Sequence, residues 1–420
     1  MILDVIGCTG MVHEATSFRL PASDPALVPD ADADDTKATW RAVRAYSDMS
    51  TLGSKRDARA RRGGASTSDA GRTSAPLSDQ QSLFEAAESD GTPGSAITSL
   101  KGITPRSSKF PDAVLSPRRI MINDTNSIVP SAFAHFNTEP PRTGYDMPDG
   151  LSSTNVWVQG DEDWISSTAT EYKEMKSMGL CEEEFASIAK EEFLRRSPRR
   201  LPNSDDRQWR CERMLQLVCP PKENAHWRKP PVLESIIPVI EWTWDIRPDC
   251  AYWLSLKGFN PRYRYQIQNC AYVRDWITCP YFTIEFKRDG QSEDVAIAQV
   301  AAAGSMALYN RYRLREAARK ARPGLDGDAN IKHYVLTFVG PKFVFWVLQP
   351  RDDKQWNGCT MTRLVGADCT DEYGVRELVE WINEIHRWGL SEHGSSCERD
   401  IKVVLRLGGV RTSDVHEVLT

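Results

Sequence analysis

The ten cysteines of this 420-residue chain form no C-x-x-C pair, and none stands at zinc-finger spacing from a pair of histidines. That removes the common structural zinc sites and the thioredoxin-like redox motif. There is no G-x-x-x-x-G-K-[ST] loop and no G-x-G-x-x-G fingerprint, and the glycines of "LRLGGVR" are too short a run to replace them. No apolar stretch approaches the ~20 residues that a membrane-spanning helix needs. The first residues, "MILDVIGCTGMVHEATSF", lack a basic flank, and Asp4 interrupts their short apolar run, so no signal peptide is expected. Internal repeats are absent. So is a surplus of positive charge: the formal net charge is −5, with about −6 in residues 1–200 and about +1 in the remainder. A protein that grips nucleic acid by charge alone is strongly basic, so any phosphate contact here has to be local.

What the chain does have is a large apolar complement, including 13 Trp, and enough length for a sizeable core. A chain of this size needs no disulfide framework. Reduced thiols, and hence an intracellular protein, cytoplasmic or nuclear, are expected. Residues 1–150 are rich in Ser, Thr, Gly, Asp and Arg and poor in large apolar residues; they read as a largely disordered tail, since such segments bury too little surface to offset chain entropy. A short helix over 36–49 is the one element expected there. The basic run "KRDARARR" at 55–62 is either a nuclear import signal or a solvated patch.

From 160 to 410 the composition is that of a folded domain. Residues 166–195 predict two helices separated at Gly179, and 205–218 a further helix stopped by Pro220-Pro221. Residues 234–246, 247–256 and 281–287 read as strands. A long helix over 294–322 carries acid at its start and base at its end, which suits the helix dipole. Strands 333–340 and 342–350 read as a hairpin around Gly340-Pro341, and 372–388 as a last helix. The expected fold class is α/β (α+β), a central mixed sheet flanked by helices.

The candidate chemistry lies in "CPYFTIEFKRDG". Alternation along a strand puts Phe282, Ile284 and Phe286 on one face and Tyr281, Thr283, Glu285 and Lys287 on the other. Asp249 opens the preceding strand, 36 residues before Glu285. If those strands are neighbours, the two carboxylates converge with Lys287 beside them. Such a pair repels, and a hard divalent cation, Mg²⁺ or Mn²⁺, resolves the conflict while keeping sites for water and phosphate. The bland alternative is a salt-bridged, half-exposed strand face.

"RPD", "IEFK", the following helix with Gln299, and the longer wording "QVAAAGSMALYNRYRLR…HYVLTFVG…DCTDEYGVRELVEWINEIHRWGL" resemble the PD-(D/E)XK nuclease superfamily. The similarity is to a fungal branch described as PD-(D/E)XK nuclease-like, and it covers about residues 205–405. It implies a metal-dependent nuclease acting on DNA or RNA, with Asp249 and Glu285 as metal ligands and Lys287 as the catalytic lysine. Gln299 takes the place of a supporting helix glutamine. Glu212 fits the place of an acid on the preceding helix, with Glu234 and Glu241 as rivals. Because the superfamily includes members that no longer cut, a catalytically inactive, nuclease-derived module that binds nucleic acid or protein is the second expectation. The basic cluster Arg311 to Arg322 and the loop Arg262–Tyr265 are each open to two readings, a phosphate-backbone contact or ordinary structure.

Overall fold

The computed structural model describes residues 103–124, 155–197, 210–222, 225–234, 242–324 and 331–411. All of these belong to the compact unit that begins at Ser95. The short helix expected over 36–49 and the basic run at 55–62 lie outside the described residues.

Eight strands and five long helices carry the architecture among the described residues. In chain order they are β1 (Ile120–Asn123), α1 (Glu162–Met178), α2 (Glu182–Glu192), β2 (Cys211–Leu215), β3 (Cys250–Ser255), β4 (Val273–Arg274) and β5 (Ile277–Lys287). Then come α3 (Glu293–Ala321), β6 (His333–Val339), β7 (Lys342–Pro350), β8 (Cys359–Asp368), α4 (Glu372–Trp388) and α5 (Gly394–Leu407). The strands form one mixed sheet in the order β1-β8-β7-β6-β5-β3-β2, with β4 pairing to β5. β5 and β6 are parallel and joined through α3, while β2, β3 and β5 run antiparallel in turn. The fold is mixed α/β.

Each face of the sheet has its own core. On one, Tyr252, Phe282, Ile284, Phe286 and Phe345 pack with Ile165 of α1, Phe185 of α2 and Ile382 of α4. On the other, Ala251, Val335, Trp346 and Leu348 meet α3 through Ala298, Ala301, Ala302 and Ala307. α3 is capped by Ser292, whose hydroxyl accepts from Asp294 N–H, with acid in its first turn and base in its last. Its sheet-facing residues are small, so the helix lies close. A Cβ added at Gly304 would stand 2.8 Å from Val335 Cγ1 and 3.0 Å from Leu348 Cδ1. α1 ends at Gly179, left-handed at φ 64, whose N–H closes on the carbonyls of Met175 and Lys176 and separates α1 from α2.

Several expectations need correction. The helix expected over 205–218 is instead strand β2, which pairs residue for residue with β3 from Cys211↔Leu254 to Leu215↔Cys250; residues 205–209 lie outside the described residues. β3 is buried along its whole length, so its outer backbone groups need a ladder partner, and that tertiary demand overrides a composition that favours helix. The strand expected over 234–246 is not found in its described part. Residues 242–249 are irregular, and Trp244 is left-handed at φ 56 with the Arg118 guanidinium 5.0 Å over its ring. Aromatic anchoring, not a ladder, holds this segment: Trp242 stacks within 4.9 Å of both Trp244 and Phe110. Residues 103–124, within the stretch read as tail, are folded, and β1 pairs in parallel with β8. Neither of those strands, nor α5, was expected.

The close seat of α3 makes a direct test. Gly304→Val should lower stability by about 1–3 kcal/mol through overpacking against Val335 and Leu348, read as a lower melting temperature by circular dichroism.

Candidate active site at the end of strands β3 and β5

The antiparallel register that sets Cys250 opposite Ile284 places Asp249 beside Glu285. Two bonds lock that juxtaposition. Phe286 N–H donates to Asp249 Oδ2 at 2.8 Å, and the Glu285 carboxylate accepts from the Asp249 backbone N–H. Lys287 Nζ donates to Glu285 Oε1 at 2.8 Å and to the Phe286 carbonyl at 2.6 Å. Glu285 is 4 % exposed and Lys287 8 %, because both lie on the sheet face that α3 covers. Thr283, Glu285 and Lys287 share that face, as alternation predicts. Tyr281 does not. Tyr252 pairs with Phe282 and Trp253 with Pro280, so Tyr281 is the extra residue of a bulge. It turns into the opposite core, where its hydroxyl meets His386 Nδ1 at 2.9 Å.

Electrostatics at this point are unbalanced. Burial, and after it the neighbouring Asp249 charge, push the Glu285 carboxyl up to about 8, even with Lys287 in contact. Burial also raises Asp249, against the Phe286 N–H bond and the Lys287 charge. A cation of one unit does not compensate two carboxyls taken out of water together.

The remaining candidate residues divide. Gln299 is six residues into α3, the helix that returns along β5 and packs on it. Gln299 Oε1 is buried without a hydrogen-bond partner. Glu212 is not at the site. It sits on β2 opposite Trp253, contacts Ser255 Oγ at 3.4 Å and Lys257 Nζ at 3.8 Å, and is four strand positions from Asp249, about 13 Å. Its misplacement follows from the helix wrongly expected there. Glu234 pairs with Arg119 at 2.9 Å, and Glu241 lies outside the described residues.

Sequence reasoning missed the contribution of α2. Lys190 and Glu183 both act on the Asp249 charge, in opposite senses. Lys190 Nζ lies 5.5 Å over the Phe286 ring, and Glu182 Oε2 accepts from Arg288 N–H at 3.1 Å. No sequence signal links a helix so far upstream to the end of β5. The hairpin turn contributes too: Gly340, at φ 57, donates its N–H to the Lys287 carbonyl at 2.9 Å, and a Cβ there would stand 2.5 Å from Asp289 Cβ.

Part of each open basic feature is structural, while Lys320, Arg262 and Tyr265 stay exposed. Arg311 and Arg315 are buried, each 2.7 Å from an oxygen of Asp400. Tyr263 is buried with its hydroxyl on Glu398, and Arg264 donates to the Phe259 carbonyl. Among the described residues no three His, Cys, Asp or Glu side chains converge as a metal-binding group, and no helix is long and apolar enough to cross a membrane. Comparison with known proteins finds no matching family model, no matching curated protein and no matching solved structure.

The raised carboxyl has a consequence for stability. Glu285 keeps its proton to about pH 8 when folded but has an ordinary value of 4.5. The folded state therefore binds more protons across that window, and stability falls as pH rises from about 4.5 to about 8. Glu285→Gln should flatten this dependence and gain on the order of 3 kcal/mol at pH 8, measured by urea denaturation across the range.

Proposed function

We propose that the chain is a metal-dependent nuclease of the PD-(D/E)XK kind, hydrolysing phosphodiester bonds of DNA or RNA. One observation carries the reading: Asp249, which leads into β3, and Glu285 and Lys287 of β5 meet at one end of the sheet. The order of elements supports it, since three antiparallel strands, a helix and a parallel strand match the expected core.

The donors suit one hard divalent cation, Mg²⁺ or Mn²⁺. Asp249 and Glu285 offer carboxylate oxygens, their pKa values are raised as expected where positive charge is short, and Gln299 Oε1 is a buried acceptor without a partner. When bound, the ion supplies polarisation of a phosphoryl oxygen and a lowered pKa for a coordinated water. The chain's own groups do the rest. Phe286 N–H fixes the Asp249 carboxylate in direction. The Lys287 ammonium, held at the Phe286 carbonyl, orients the attacking water and faces the negative charge that grows on the phosphorus oxygens. The buried Gln299 amide oxygen accepts a hydrogen from water. Glu183 of α2, exposed and paired with Lys190, acts on Asp249 through its charge alone.

A second reading, a nuclease-derived binding module that no longer cuts, draws on a different observation. Glu285 and Lys287 are in direct 2.8 Å contact with almost no exposure, and Arg311 and Arg315 are spent inside the fold rather than offered to phosphate.

One assay separates the two. The full chain is incubated with single- and double-stranded DNA and RNA in Mg²⁺, Mn²⁺ or EDTA. Cleavage that needs the metal should fall roughly hundredfold or more in Asp249→Asn and Lys287→Ala, while Glu212→Gln keeps it. Folded wild-type protein that cuts nothing under any condition rejects the nuclease. Titration calorimetry adds an independent check: Mn²⁺ binding at pH 7 should release about one proton, from Glu285, and none in Glu285→Gln.

A further inference from the structure

The opposite end of β5 carries a different chemistry. There Trp253 pairs with Pro280 and Leu254 with Thr278, which leaves Cys279 unopposed in a second bulge, with its backbone left-handed at φ 42. Such a backbone is uncommon for a residue other than glycine, and strain of this kind concentrates at functional positions. The bulge sets Cys279 into the wall of a cleft of 160 Å³ that also includes His226, Asn269, Tyr272, Arg311 and Arg313. The Cys279 thiol lies 3.5 Å from Thr278 Oγ1 and faces that of Cys397 on α5 closely enough for each to act on the other's titration. His393 Nε2 stands 3.4 Å from Cys397 Sγ and 3.3 Å from the Cys279 carbonyl oxygen.

Guanidinium groups gather beside this pair: Arg311 and Arg315 each stand 2.7 Å from Asp400, with Arg399 at 3.9 Å. Arg311 also lines the cleft with Cys279, and a cation beside a thiol favours the thiolate. The two thiols differ in access, because Cys279 is half-buried in the cleft wall and Cys397 is buried outside its lining. An accessible sulfur next to a buried thiol is the arrangement that oxidation through a sulfenic acid requires.

We propose that Cys279 is a nucleophile toward small hydroperoxides, reached through the cleft, and that Cys397 resolves the product to a disulfide. The Cys279 thiolate attacks one peroxide oxygen. The O–O bond breaks, and the departing hydroxide or alkoxide takes a proton from water, leaving Cys279 as a sulfenic acid. The Cys397 sulfur then attacks the Cys279 sulfur, the S–O bond breaks, and the hydroxyl leaves with the Cys397 proton as water. Two thiols lose two electrons together, and the hydroperoxide is reduced to water or an alcohol. The new bond ties α5 to the β5 bulge. None of this depends on the nuclease reading.

The test uses the full chain treated with graded hydrogen peroxide, then alkylation of remaining thiols, proteolysis and mass spectrometry. The Cys279–Cys397 disulfide should form about tenfold faster than the exposed Cys181 is oxidised. In Cys397→Ser, dimedone should trap a sulfenic acid on Cys279; in Cys279→Ser, Cys397 should stay reduced. Cys279 and Cys397 both remaining alkylatable at a dose that oxidises Cys181 would overturn the proposal. That outcome is read on the wild-type protein, so it stands whether or not either variant folds.

Discussion

Helix α3 rests on β5 and β6 through alanine, glycine and serine, and the environment of the candidate site depends on that contact. Small side chains let the helix axis approach until a single added methyl group at Gly304 meets Val335 and Leu348. The approach excludes water from the strand face below, which is where Glu285 and Lys287 lie. A carboxylate in water would ionise near its ordinary value; this one holds its proton several units higher because the helix has removed its solvent. The same helix then carries Arg311 and Arg315 past the end of the sheet to Asp400 on α5. Its beginning thus dries a carboxyl, and its end brings two guanidinium groups to one buried acid.

β5 reads both environments. At its carboxyl end the alternation is regular, and the polar residues face α3 together. Toward its amino end two bulges break the pairing with β3. One turns Tyr281 over to His386 in the opposite core, and the other turns Cys279 toward a cleft. A single strand therefore presents a carboxylate–lysine set and a thiol at two separate places. The bulges are what prevent one continuous face from joining them.

Much of this was legible in the residues. α3, the β6–β7 hairpin and α4 have strong periods and clear stops, and they occur within a residue or two of where the sequence predicts them. Asp249, Glu285 and Lys287 could be joined on paper because β3 and β5 are neighbours and the two-residue period of a strand is reliable. Glu212 failed for a physical reason: Cys211–Leu215 has helical composition but completes the ladder of a buried strand, and propensity yields to that demand. Bulges leave no mark in a sequence, so Tyr281 was put on the wrong face. The roles of Lys190, Glu183 and Asp400 arise only when distant helices dock, and nothing local encodes them.

The peptide that ends β5 is held by the turn of a hairpin. Gly340 donates to the Lys287 carbonyl and leaves no room for a side chain beside Asp289. Lys287 and that turn therefore open and close as one cooperative unit. Motion that frays the β6–β7 hairpin at its tip also slackens the lysine, without disturbing either core. The ordering of a charged group is in this way governed by the backbone dynamics of a loop that contributes no side chain to it.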